Sequence, residues 1–239
     1  MLPLLYHAHH SLHPEDLPFW LDLAKQQGGP ILELGCGTGR VLESLSEAGY
    51  DVQGLDYDRS MLLFLRSRLP AAQVFQADMG HFRLEKRFAL ILLPCNTYST
   101  LPAETRRLTL ERVSEHLLPG DLFAASLPSL SSLMDLPAHG EPVVEEIFLH
   151  PESGNPVQAS SSWKRSTRSF SMSWHYDHLL PDGTVERVSM QVRHSLLSAG
   201  EYIGEFRAAG LKVRWIYGDF DRSEFTRESL SLILIAGKD

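Results

Sequence analysis

Glu33-Leu34-Gly35-Cys36-Gly37-Thr38-Gly39 sets three glycines at alternate positions directly after an apolar run. Glycines there permit positive φ and let a ligand approach the backbone, while the helix that follows offers free N–H groups. The spacing is GxGxG, with Arg40 where the dinucleotide fingerprint GxGxxG carries its third glycine. Asp56 stands 21 residues beyond Gly35, where an acid accepts hydrogen bonds from two ribose hydroxyls. Asp78, between Ala77 and Met79, can take the exocyclic amine of an adenine while a neighbouring N–H serves the ring. With Glu33 beside the loop, the three acids fit a zwitterionic ligand with a free amine, a ribose and an adenine. Each acid could equally cap a helix, and each glycine could mark a plain turn.

A second group of residues could act on whatever the ligand reacts with. Leu93-Pro94-Cys95-Asn96-Thr97-Tyr98-Ser99 follows the most apolar run of the chain. In an open α/β sheet, ligands sit outside the carboxyl ends of the strands. Asn96, Thr97 and Tyr98 are therefore candidates for orienting a substrate, or else form a polar loop capping the next helix. Among His175, His178 and His194, the pair His175-Tyr176 is the best candidate for a base, with Tyr98 as a further catalytic candidate. Exposed strand histidines are the competing reading. Trp163, Trp174 and Tyr176 either wall a pocket or pack against the core. Tyr6-His7-Ala8-His9-His10 with His13 invites a metal, but no acid or cysteine falls at a familiar ligand spacing, so none is expected.

The elements that must position these residues follow from periodicity. Pro30–Leu34, Tyr50–Asp56, Gln73–Ala77, Phe88–Leu93 and Leu122–Ser126 read as strands, and the fourth as the central one. Helices are expected at Arg40–Ala48, after a Ser60 cap, and at about Ala103–His116. This alternation predicts a doubly wound parallel sheet. After Pro128 it breaks. Trp163–Arg168, Ser169–His178 and Thr184–His194 alternate large and polar residues and read as antiparallel strands. Ser198 with Glu201 forms a capping box for a helix ending at Gly210, and two strands, Leu211–Tyr217 and Leu230–Ala236, close the chain. A helix over Asp16–Ala24 is expected to lie across the ligand entrance.

Together, Ile31–Arg40, Gly54–Leu62, Gln76–Met79 and the Leu118-Pro119-Gly120-Asp121 turn resemble the class I methyltransferases that use S-adenosylmethionine (SAM). The resemblance implies a Rossmann-like, doubly wound α/β sheet of seven strands with an antiparallel last strand, plus an antiparallel β insertion after the fifth strand. It implies that Gly35, Gly37 and Gly39 line the methionine moiety and Asp56 binds the ribose. Tyr57 and Met61 would flank the adenine, with Asp78 and Met79 reading its edge. The cofactor site is expected to include Glu33, Cys36, Arg40, Ala77, Pro94 and Asn96 as well. Tyr6, Phe19, Asn96, Thr97, Tyr98 and Trp174 are the expected substrate contacts, as similar small-molecule enzymes suggest. One domain spans 1–239, with 1–27 a helical lid segment and 137–197 the substrate cover. Some relatives that methylate amino groups or nucleobases carry Asn/Asp-Pro-Pro-Tyr/Phe after the fourth strand. Pro94-Cys95-Asn96-Thr97-Tyr98 departs from it, which argues against DNA or glutamine methylation.

The bulk numbers narrow the function classes. The 239 residues are 43% hydrophobic and 22% charged, ordinary for a packed α/β chain. A net charge of -8 repels nucleic acids and anionic membranes, so neither is expected as a partner. Two cysteines, Cys36 and Cys95, without a zinc spacing read as reduced thiols of a cytoplasmic protein. No basic leader precedes an apolar stretch, and no run of about 18 apolar residues occurs. The expected partner is a small-molecule substrate with a nitrogen or oxygen acceptor, yielding S-adenosylhomocysteine (SAH); a homodimer stays open. A protein or RNA methyltransferase, and a SAM- or SAH-binding protein without turnover, are the alternative readings. A NAD-dependent oxidoreductase is a distant third.

Overall fold

The computed structural model describes residues 1–238. The chain begins with helices α1 (Leu2–His10) and α2 (Leu17–Gln27), followed by β1 (Ile31–Leu34), α3 (Arg40–Glu47), β2 (Val52–Asp56), α4 (Arg59–Arg68) and β3 (Gln73–Gln76). Next come β4 (Leu90–Leu93), the single turn α5 (Thr97–Thr100), α6 (Ala103–His116), β5 (Leu122–Pro128) and α7 (Leu130–Asp135). Four strands follow, β6 (His139–Leu149), β7 (Pro156–Arg165), β8 (Ser169–Leu179) and β9 (Val185–Ser195). Helix α8 (Ala199–Ala208) and strands β10 (Lys212–Tyr217) and β11 (Ser231–Gly237) complete it.

The main sheet has seven strands in the order β3-β2-β1-β4-β5-β11-β10, as expected, with β4 at its centre. The first five are parallel, and β11 runs antiparallel to both β5 and β10. Side chains of a strand alternate between faces, and that alternation sorts the core into two layers. Leu32, Leu34, Ile91, Leu93 and Phe123 face α6 and α8, where they meet Leu110, Val113 and Phe206. Ile31, Leu90, Leu92 and Ala124 face α2, α3 and α4, against Trp20, Leu42 and Leu65. Strands β1 and β4 are buried throughout, which is why they read as unbroken apolar runs.

Helix α8 opens with the expected capping box: Glu201 N–H donates to Ser198 Oγ, and Ser198 N–H to Glu201 Oε2. The cap of α4 is Asp58 rather than Ser60. Its carboxylate accepts from Ser60 N–H at 2.7 Å and Met61 N–H at 3.4 Å. A carboxylate reaches the orphan N–H groups and suits the positive end of the helix.

The insertion is a separate antiparallel sheet, β6-β7-β8-β9. The expected strand at Trp163–Arg168 is displaced: β7 ends at Arg165, and the hairpin turns through Ser166, whose N–H bonds Ser169 O at 2.8 Å. One face of this sheet seats α1, with Leu5 buried against Val157, Ala159 and Tyr176. Helix α2 does not cross any entrance. Its Phe19 and Trp20 are core residues on the main sheet, because both lie on the apolar face that Leu23 and Ala24 continue. Among the described residues no helix is long and apolar enough to cross a membrane.

Candidate active site

The strand order reverses between β1 and β4, so their carboxyl ends and those of β2 and β3 open onto one crevice. Gly35, Gly37 and Gly39 all take positive φ, between 52° and 90°. A Cβ on Gly35 would lie 3.2 Å from Thr97 Cγ2 and 3.4 Å from Met79 Cε, so three strand ends converge on this glycine. Asp56 accepts hydrogen bonds from Gly37 N–H at 2.7 Å and from Asp58 N–H at 2.8 Å. It thereby ties the glycine loop to β2, and burial pushes its carboxyl pKa up. Asp78 accepts from Gly80 N–H at 2.8 Å and stays partly open to solvent. Tyr57 is exposed and Met61 half-buried at the start of α4.

Glu33 and Cys36 point inward. Glu33 is buried and accepts a hydrogen bond from the Leu42 N–H in the first turn of α3, and burial drives its pKa well up. Its Oε2 has no partner among the described residues. Cys36 Sγ packs under β2, where a Cβ on Gly54 would meet it at 2.8 Å. Arg40 makes a paired contact with Asp16, at 2.6 and 2.7 Å, and donates to His13 O at 3.2 Å and Cys95 Sγ at 3.4 Å. It clamps the turn before α2 to the loop after β4 rather than lying free beside the glycines.

That loop contains two consecutive non-glycine residues in the left-handed region, Cys95 (φ 57°) and Asn96 (φ 60°). Such residues cost on the order of 1 kcal/mol or more each and concentrate at functional sites. Asn96 N–H reaches Ser126 Oγ at 3.4 Å, and Thr97 Oγ1 donates to Pro94 O at 2.9 Å. Tyr98 turns away from the crevice. It is buried against Tyr202 and Phe206, and its hydroxyl donates to Glu205 at 2.8 Å, where Arg106 also binds. Ser99 Oγ lies 2.8 Å from His194 Nδ1 and fastens this turn to β9.

The expected His175-Tyr176 pair is not formed, because neighbours on a strand face opposite ways. His175 bonds Ser189 at 2.7 Å, whereas Tyr176 is buried with its hydroxyl 3.1 Å from His9 Nδ1. Trp174 shares the Tyr176 face and meets the His9 ring edge-on at 5.1 Å. Phe19, in the core, makes no part of the crevice.

Helix α1 supplies what the sequence reading missed. His7 Nδ1 is 3.1 Å from Thr38 Oγ1 in the glycine loop. Tyr6 and His10, one turn apart, stack with ring centroids 4.0 Å apart. Burial raises the Tyr6 phenol pKa, and the nearby charges of Cys95, Arg40 and Asp56 act on it. His10 is pushed down to about 3 by burial, with His9 and Arg40 adding to the shift. A cavity of about 210 Å³ is lined by His10, Asp16, Arg40, Cys95, Asn96 and Ser126, among others. The i,i+4 spacing of Tyr6 and His10 was the available signal, since it places both on one helical face. A wider cleft of about 940 Å³, near Arg83, Arg112 and Lys238, opens by the end of α6. It lies by the start of β4, away from these loops.

SAM fits this donor and acceptor set. The positive-φ loop leaves room for close backbone approach, and Asp56 and Asp78 offer carboxylate oxygens at two successive strand ends.

Residues 31–120 match the family model described as a methyltransferase domain. Over 207 residues the chain is 27% identical to dTDP-3-amino-3,4,6-trideoxy-alpha-D-glucopyranose N,N-dimethyltransferase of Streptomyces venezuelae, covering 80% of this chain and 79% of that one. Its fold is similar to that of Streptomyces venezuelae DesVI, with a TM-score of 0.81 at 22% identity, over 99% of this chain and 97% of that one. It is also similar to CalS10, an amino pentose methyltransferase from Micromonospora echinaspora solved with SAM bound. There the TM-score is 0.75 at 21% identity, over 97% and 95% of the two chains.

Proposed function

We propose that this chain, a class I methyltransferase that uses SAM, methylates the amine of a small molecule, and that the acceptor is a nucleotide-linked amino sugar. The observation that carries the sugar is the likeness to the dTDP-amino-sugar dimethyltransferase along 80% of the chain. An amine acceptor also asks less of the cavity than a hydroxyl. SAM supplies a methyl group on a positively charged sulfur, so an attacking nitrogen need only be neutral and aligned. A hydroxyl acceptor needs a base. Of the groups lining the cavity, His10 is pushed down to about 3 and Asp16 is already held by Arg40 and by Trp20 Nε1–H at 2.9 Å, which leaves the exposed His13 and Glu15 as the remaining imidazole and carboxylate.

In this reading Gly35, Gly37 and Gly39 lie along the methionine part of the cofactor. Asp56 takes the ribose hydroxyls, Asp78 and Met79 hold the adenine edge, and Tyr57 and Met61 flank the ring. Asn96 and Thr97 border the acceptor, α1 acts as the lid, and β6 to β9 roof the cavity from the far side of α1. Cytoplasmic residence and a small-molecule rather than nucleic-acid partner agree with the charge of -8 and the two free thiols. A homodimer is compatible with the exposed Ile147 and Leu149 on edge strand β6.

The test is direct. The enzyme is incubated with SAM and dTDP-3-amino-3,4,6-trideoxyglucose, its 3-hydroxy counterpart, trans-aconitate or bulk tRNA, reading SAH release and product mass. Methylation at nitrogen of the amino sugar is expected. Methylation of the hydroxy sugar, trans-aconitate or tRNA alone, or SAM binding with no turnover on any of them, overturns the reading.

A further inference from the structure

We propose that His10 orients the acceptor: its neutral imidazole takes a hydrogen bond from the attacking nitrogen and so aims that nitrogen's lone pair at the methyl group. The inference rests on the amine reading above.

His10 lines the cavity together with Asn96 and Ser126, beside the loop that follows the central strand. Its position is fixed from two sides of the same helix. His7 bonds Thr38 in the glycine loop, and His9 bonds Tyr176 in the insertion, both at 3.1 Å. The ring of His10 is further held against Tyr6. These contacts place the imidazole relative to the glycine loop, and positioning of that kind is what methyl transfer demands.

The hydrogen-bonding state of the ring points the same way. His7, His9, His116, His150, His175, His178 and His194, the other buried or half-buried histidines, each make a hydrogen bond through a ring nitrogen. His10 makes none among the described residues, so both nitrogens are free for a ligand. Burial and the neighbouring Arg40 keep the ring uncharged, which suits a group beside a cationic sulfur. An uncharged imidazole always has one nitrogen that accepts. Its low proton affinity makes it an orienting group rather than a proton sink. The extra proton on the methylated nitrogen therefore passes to solvent, not to His10.

Three proteins separate the possibilities: wild type, His10→Ala and His10→Asn, each assayed with SAM and dTDP-3-amino-3,4,6-trideoxyglucose. His10→Ala is expected to lower kcat by about 10- to 100-fold. Its calorimetric affinity for SAH should stay within about twofold of wild type and its melting temperature should be unchanged. His10→Asn, which keeps a hydrogen-bond acceptor, should recover most of the lost rate. A His10→Ala enzyme as fast as wild type overturns the inference. So does a loss of SAH affinity parallel to the loss of rate, which would make His10 a structural part of the helix. Failure of His10→Asn to recover any rate overturns it too. No transfer to nitrogen by the wild type overturns the amine reading, and the role of His10 falls with it.

Discussion

Asp56 has two tasks that can be measured apart. It holds the glycine loop through Gly37 N–H at 2.7 Å and, in the proposed function, takes the ribose hydroxyls. Among the described residues Asp78 makes only local side-chain contacts, with Gly80 N–H at 2.8 Å and His81 Nδ1 at 3.6 Å. Asp56→Ala and Asp78→Ala should each weaken SAM binding by about 1–3 kcal/mol in calorimetry, since each removes charge-assisted hydrogen bonds. Only Asp56→Ala should also lower the melting temperature of the cofactor-free protein, because it alone releases the loop from β2. Unchanged affinity in both variants would remove these acids from the site. The places of the glycines and acids in the fold were legible because each stands at or just after the end of a strand. Tyr98 was not, because its burial depends on Glu205 and Arg106, over 90 residues distant or on another helix. Glu33 shows a similar limit: an acid at a strand end reads alike whether it meets a ligand or the N–H of Leu42.

Helix α1 docks with its histidines neutral, His7 and His9 making the bonds that hold it. His7, His9 and His10 all have pKa values lowered below the ordinary 6.5, in each case chiefly by burial. Arg40, Arg68 and His13 push them further down, while Glu43, Glu145 and Glu146 oppose this. A released helix carries histidines that titrate near 6.5, so release takes up protons below that pH. Docking is therefore fully favoured above about pH 7 and weakens as pH falls through 6.5 toward the lowered values. At pH 5.5 the released helix takes up protons that the docked one does not, and docking is weakened accordingly. Amide exchange across residues 2–10 should accelerate between pH 7.5 and 5.5, after correction for intrinsic rates, while β1 and β4 stay protected. Equal protection at both pH values would show that the histidines do not control docking. The two-layer core, the insertion and the α8 capping box were legible, because each is written in local period or spacing. The different fates of α1 and α2 were not. Both are amphipathic, and only the tertiary structure assigns Leu5 to the insertion and Trp20 to the main sheet.

At the scale of the whole molecule, the net charge of -8 acts on any charged acceptor before it reaches the cavity. A nucleotide-linked sugar carries its own negative charge on the diphosphate, so the long-range field opposes encounter. At about 0.01 M ionic strength that field extends about 30 Å, and at 0.15 M only about 8 Å. The specificity constant kcat/KM for the nucleotide sugar should therefore rise, by about two- to fivefold, between those salt concentrations. The turnover number at saturation should not change, because the aligned complex is the same. A basic groove that captures RNA would give the reverse, a steep fall with salt as counterions are no longer released to advantage. Steady-state rates with dTDP-3-amino-3,4,6-trideoxyglucose across this range decide between them. A kcat/KM that falls with salt would mean that local cations at the mouth of the cavity outweigh the -8 of the whole chain, and would return a polyanionic substrate to consideration.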